Sequence, residues 1–147
     1  MIHAEILKPV VALIAWTLVV MFWMLVTRMP AMKAAGLKLG KLTGSKGSDA
    51  DAVLPARAQW KAHNYNHLME QPTLFYAVAL TLAVAGWGDG MNAWIAWGYV
   101  GFRVIHSIVQ ATWNRVAVRF LFFCLSTFCL IALTLHAAMA VFGWHLH

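Results

Sequence analysis

The amino-acid sequence predicts an all-α integral membrane protein, a bundle of four transmembrane helices, and three observations predict it. Of the 147 residues 62% are hydrophobic and 11% charged, with a mean hydropathy of +0.69. A soluble domain clothes its core with about a quarter charged residues, so the solvent for this surface is lipid. Long apolar stretches are separated by turn signals and by one basic loop. A spanning helix takes about 20 residues, so about four of them nearly use up the chain and exclude a large soluble domain.

The first span, about 9–28, rests on the uncharged run PVVALIAWTLVVMFWMLVT between Lys8 and Arg28. The run exceeds the apolar region of about 7 to 15 residues of a secretion signal, and no small-residue cleavage site follows it. It therefore reads as a retained helix. The stretch 29–62 is a polar loop with scattered lysines, and its first half has room for a short interfacial helix. The second span, about 63–86, contains Glu70 and ends at Gly86, Trp87, Gly88, Asp89 and Gly90, a strong turn signal. The third span, about 91–112, contains Arg103, His106 and Gln110, and a turn at Trp113 and Asn114 leads to the fourth, about 116–142, with Arg119 near its start.

Charge orients the bundle. Arg28, Lys33, Lys38, Lys41, Lys46, Arg57 and Lys61 lie in or beside the first loop, and Arg115 and Arg119 in or just past the third connection, whereas the opposite side carries Lys8, Glu5 and Asp89. By the positive-inside rule both basic connections are cytoplasmic and both termini are outside. The net charge of +6 is thus an address for the face opposite anionic headgroups. It is not a nucleic-acid footprint, since no aromatic-lined reading surface accompanies it.

Trp60, Trp87, Trp113 and Trp144 fall at span ends, where amphipathic rings prefer the interface. Trp16, Trp23, Trp94 and Trp97 read as helix-packing or lipid-facing residues. Cys124 and Cys129 are five residues apart, about 140° around a helix, which suits neither a disulfide with each other nor a zinc motif.

The polar residues inside the spans are the candidates for function. His63, Asn66, His67 and Glu70 follow i, i+3, i+4, i+7, and Arg103, His106 and Gln110 follow i, i+3, i+7, so each set shares one helix face. The helical rise puts Glu70 and Arg103 both about 10 to 15 Å below the basic side. A lone charge in hydrocarbon costs several kcal/mol, so the two are expected to pair. With Arg115 and Arg119 they outline a wet, electropositive crevice open to the cytoplasm. Polar groups in membrane bundles also simply link helices, at about 0.6 kcal/mol each. About eight of them on two faces and a turn exceed what linking requires and read as a ligand site. His136, alone on an apolar face, reads as a packing histidine, and His3, His145 and His147 carry no spacing signal. His63 and His67 have metal-ligand spacing, with Glu70 or His106 to complete a shell, but no second pair accompanies them and the arginines favour anions; no metal is expected.

The segments HNYNHLMEQPTLFYA and YVGFRVIHSIVQATWNRVAVRF resemble the membrane-associated proteins in eicosanoid and glutathione metabolism, the MAPEG family, and within it the bacterial branch. The resemblance is most specific at Glu70, Pro72, Phe75 and Tyr76, and at Arg103, His106, Asn114, Arg115 and Arg119. It implies a homotrimer of four-helix protomers holding glutathione between subunits at the cytoplasmic side. It also implies that Arg119 stabilises the thiolate while Arg103, Arg115 and Glu70 hold the peptide; from the polar stripes, His63, Asn66, His67, His106 and Gln110 are the further candidate contacts. The chemistry is sound, because a nearby cation makes a thiol with pKa about 8.5 more nucleophilic at neutral pH, and arginines suit carboxylates. The chain departs from the family pattern at His67, where asparagine is common, at His63, in register with an arginine, for which Lys61 and Arg57 are nearby substitutes, and at Gln110, where tyrosine is frequent.

The expected function is glutathione-dependent transfer or peroxide reduction on a lipophilic small molecule entering from the bilayer, in a bacterial inner membrane. An alternative is a non-catalytic membrane module that binds lipid or stabilises a larger membrane complex, motivated by the altered contact residues. A third is a small proton or metal transporter using His63, His67 and Glu70.

Overall fold

A computed structural model describes residues 4–143, so Trp144, His3, His145 and His147 lie outside the described residues. The described chain is all α: α1 (Leu7–Ala34), α2 (Ala56–Glu70), α3 (Pro72–Val84), α4 (Met91–Thr112) and α5 (Val116–Phe142), with 3-10 turns at Leu39–Lys41 and Gly47–Ala52.

Two of these helices, α1 and α5, are long and apolar enough to cross a membrane. Only 22% of the most apolar stretch of α1 and 17% of that of α5 is buried inside the chain, which a soluble protein's core helix would not tolerate. Phe22, Trp94, Phe120 and Phe128 stand 64% or more exposed.

Helix boundaries differ from the expected spans for local reasons. α1 continues past Arg28 to Ala34, because Met, Ala and Lys favour helix. It stops where Gly36, at φ +75°, lets the amides of Gly36 and Leu37 turn back onto the carbonyls of Lys33 and Met32. At the other end of the loop, α2 begins directly after Pro55. The loop expected over 29–62 is therefore confined to 35–55. The helical run expected over 63–86 is broken into α2 and α3. Gln71 keeps helical torsions, but Pro72 has no amide to donate, so the ladder is interrupted there.

The core runs along the bundle through Ile6, Leu13 and Val20 of the first helix and its lead-in, Phe75 and Leu82 of α3, Tyr99 of α4 and Leu133 of α5. Phe75 and Tyr99 stack at 4.3 Å and 12°, fastening α3 to α4. At the end away from the basic loop, the amide of Ile6 donates to the Gly88 carbonyl at 2.8 Å and that of Glu5 to Asp89 Oδ1 at 2.7 Å. Gly88 is required there, since a Cβ would stand 2.7 Å from the Cβ of Ala4. Trp16 links helices, donating from Nε1 to Ser107 Oγ at 2.9 Å, whereas Trp94 and Trp97 are exposed. Both cysteine thiols are free.

Candidate functional site

α4 presents Tyr99, Arg103, His106 and Gln110 along its buried face, with Arg103 and Gln110 each 1% exposed. This face meets α2 and α5. Arg103 Nη2 donates to the main-chain carbonyl of His67 at 3.0 Å, which puts Arg103 and the end of α2 at one level. Its Cζ lies 6.0 Å from the centroid of Phe123 on α5. His106 stands edge-on to His67, ring centroids 6.1 Å apart, and is flanked by Phe123 at 6.5 Å.

The ion pair expected between Glu70 and Arg103 does not form. Glu70 is exposed, and its Oε2 lies 3.3 Å from His67 Nδ1. Instead the carbonyl of His67, at the negative C-terminal end of α2, attracts the cation. Arg103 takes the main chain of α2 as its partner, while Glu70 remains only within Coulombic reach.

Among the described residues, Arg103 at Nε and Nη1, Gln110 at Oε1, and Asn64 at Nδ2 and Oδ1 keep buried polar atoms without a partner. Buried polar atoms are rarely left so, and each costs about 1 to 3 kcal/mol. On Arg103 and Gln110 they leave donors and an acceptor along the buried face of α4 that the protein's own groups do not use.

The other candidates lie around this interior. Arg119, half-buried near the start of α5, donates from Nη1 to Asn114 Oδ1 at 2.7 Å and acts electrostatically on both His67 and His106. Asn114 takes φ +53° to make the turn, so one side chain shapes the connection and holds the arginine. Arg115 is exposed, its guanidinium 4.7 Å from the Trp113 ring centroid. Asn66 is exposed on α2. His63 is not drawn into the cluster; its Nε2 lies 3.0 Å from Asp51 Oδ2 and ties the loop to α2. Among the described residues, no group of three His, Cys, Asp or Glu side chains is placed to hold a metal. Lys61, ahead of the second expected span, donates to the Arg57 carbonyl at 2.9 Å and lies over the Trp23 ring at 5.5 Å. Partial burial, with Arg57 adding to it, pulls its pKa below the usual lysine value.

Sequence reasoning passed over Tyr99, Gln71 and Asn64. Tyr99 OH donates to Gln71 Oε1 at 3.4 Å, and Gln71 Nε2 donates to Thr127 Oγ1 at 2.9 Å, so α4 and α5 are linked through the junction of α2 and α3. Tyr99 lies one turn before Arg103, and extending the α4 stripe backward would have found it. His136 is not isolated: its Nδ1 lies 2.5 Å from Asn92 Oδ1, and Asn92 in turn donates to the Trp87 carbonyl at 2.8 Å.

No curated protein and no solved structure matches the chain. A family model, that of the MAPEG family, matches residues 6–139. That match covers α1 through most of α5 and includes every residue of the polar cluster, so the chain belongs to the MAPEG family of integral membrane proteins.

Proposed function

We propose that this protein is a glutathione-dependent transferase or peroxidase that acts on lipophilic molecules drawn from the bilayer, working as a homotrimer in a bacterial inner membrane. The observation that carries the reading is Arg103, buried with two unpartnered donors beside His67, His106 and Arg119, in a chain of this family.

The residues present fit the tripeptide. Glutathione has carboxylates at its ends, an ammonium and amides, and the cluster offers guanidinium donors, an acid and side-chain amides to match. Arg103 Nε and Nη1 are directed to carboxylate or amide oxygens, Arg115 supplies an accessible cation at the rim, and Glu70 accepts from the ammonium. Asn66 and His67 line the open side of α2. Gln110 stands where the family often has a tyrosine, and its amide serves as a donor in place of the hydroxyl. Bound glutathione supplies a thiol nucleophile. Arg119 lowers the cost of its ionised form by charge, and the Asn114 bond holds that guanidinium in place.

Four spans are supported by helix lengths. α4 has 22 residues, about 33 Å, and α2 with α3 forms a helical run broken only at Pro72. The basic residues around 28–61 and 115–119 support a cytoplasmic site with both termini outside. Trimer formation is supported by the polar face of α2, left open by the single chain where hydrocarbon would penalise it.

Calorimetry in detergent tests the reading. Wild type is expected to bind glutathione at millimolar concentration or below, and Arg119→Ala to bind the thiolate form at least tenfold more weakly. No binding by wild type at millimolar glutathione overturns it, and a monomeric mass in mild detergent overturns the trimer.

A further inference from the structure

A second site lies outside this cluster, where the end of α1 meets the loop 35–55. There a cavity of about 410 Å³ is walled by the polar Arg28, Ser45, Lys46 and Asp49 and by the apolar Met32, Leu37 and Leu42. We infer that this cavity is a headgroup site for an anionic phospholipid.

Depth is the first argument. Arg28 lies 21 residues beyond Leu7 on one continuous helix, about 30 Å along its axis, which equals the hydrocarbon thickness of a bilayer. The cavity is therefore at headgroup level. Continuity is the second. Met32 and Leu37 also wall an adjoining cavity of about 520 Å³ with Met29, Pro30 and Lys33. Below it on the same helix, Phe22, Leu25 and Met29 are 65%, 44% and 45% exposed, an apolar track on which acyl chains can lie. A soluble anion would have no use for that track.

Charge is the third argument. In addition to the cations in the wall, Lys33 walls the adjoining cavity, and Lys38 and Lys41, next in the chain to the wall residues Leu37 and Leu42, are exposed. The one acid in the wall is engaged, since Asp49 Oδ2 accepts the Lys46 amide at 2.7 Å, and Asp51, outside the wall, faces His63 at 3.0 Å. Arg28 Nη2 donates to the Gly47 carbonyl, which folds the loop over the cavity and fixes the guanidinium beside it while its other donors stay available. The Lys46 ammonium is the group that meets a phosphate oxygen.

The full-length protein in detergent, titrated with phosphatidylglycerol or phosphatidylcholine and followed by native mass spectrometry, tests the site. One phosphatidylglycerol per chain is expected, held at least about fivefold more tightly than phosphatidylcholine, the factor one cation at a membrane surface supplies. Lys46→Gln removes that preference and Lys46→Arg restores it, which separates lost charge from a misfolded loop. Equal retention of both lipids by wild type, or an unchanged preference in Lys46→Gln, overturns the inference. Displacement of the lipid by an equal concentration of glycerol 3-phosphate also overturns it, because the site would then serve a soluble phosphate.

Discussion

Arg103 and Gln110 on α4 are each 1% exposed and His106 is 6% exposed, whereas Asn66, His67 and Glu70 on α2 stand open on the surface of the chain. The two stripes have the same helical spacing and the same level in the bundle. They differ because α4 is packed against α1, α2 and α5, while α2 turns its apolar Ala58, Ala62 and Leu68 inward and leaves its polar stripe uncovered. The α4 stripe is thus held by the protein's own fold and keeps donors in reserve. The α2 stripe needs a ligand or a neighbouring copy to be covered. One fixed wall and one open wall are what the proposed binding of glutathione between subunits requires.

Three substitutions would break or sharpen this contrast. The largest effect is expected at the foot of the buried stripe, where Tyr99→Ala removes a ring stacked on Phe75 and the bond to Gln71. A loss of about 3 to 5 kcal/mol is expected in thermal unfolding in detergent, as for other buried aromatics. Loss of under about 1 kcal/mol would show that α3 and α4 are not fastened there.

A smaller and opposite effect is expected at Arg103→Met. Its guanidinium is buried with two unpartnered groups, so an apolar side chain of similar length should raise stability by about 1 to 2 kcal/mol. Glutathione affinity should fall more than tenfold in the same variant. A lower unfolding temperature would instead make Arg103 a structural pin for the end of α2, and the distinction between a reserve of donors and a packing residue would be lost.

The smallest effect on stability belongs to the open stripe. Glu70→Gln removes an exposed partner of His67 and should change protomer stability by less than about 1 kcal/mol. Binding of the glutathione ammonium should weaken severalfold, read by calorimetry as loss of affinity for glutathione against its des-amino analogue. Equal affinities for the two ligands in wild type would remove Glu70 from that role.

Much of the site was legible in the residues themselves. Spacing on α4 identified Arg103, His106 and Gln110 as one face, and that face is continuous in the structure. The failure of Glu70 to pair with Arg103 was not legible, because Arg103 takes the main-chain carbonyl of His67 and side-chain spacing does not show which main-chain groups a second helix meets. His63 was expected among the ligand contacts on spacing alone. Its tie to Asp51 depends on how the loop 35–55 folds back over α2, a contact between residues 12 apart in the chain.

Composition and charge placement alone determined that this protein is an all-α chain for a lipid environment and which of its ends is basic. Those properties are sums over side chains and do not depend on which helices meet. Helical periodicity likewise determined which polar residues share a face. Only the tertiary structure decided which face is covered, because burial depends on the neighbours a helix acquires and two equally spaced stripes can meet different neighbours. The same packing left Arg103, Gln110 and Asn64 with unpartnered polar atoms inside the bundle and closed the loop over a cavity beside Arg28.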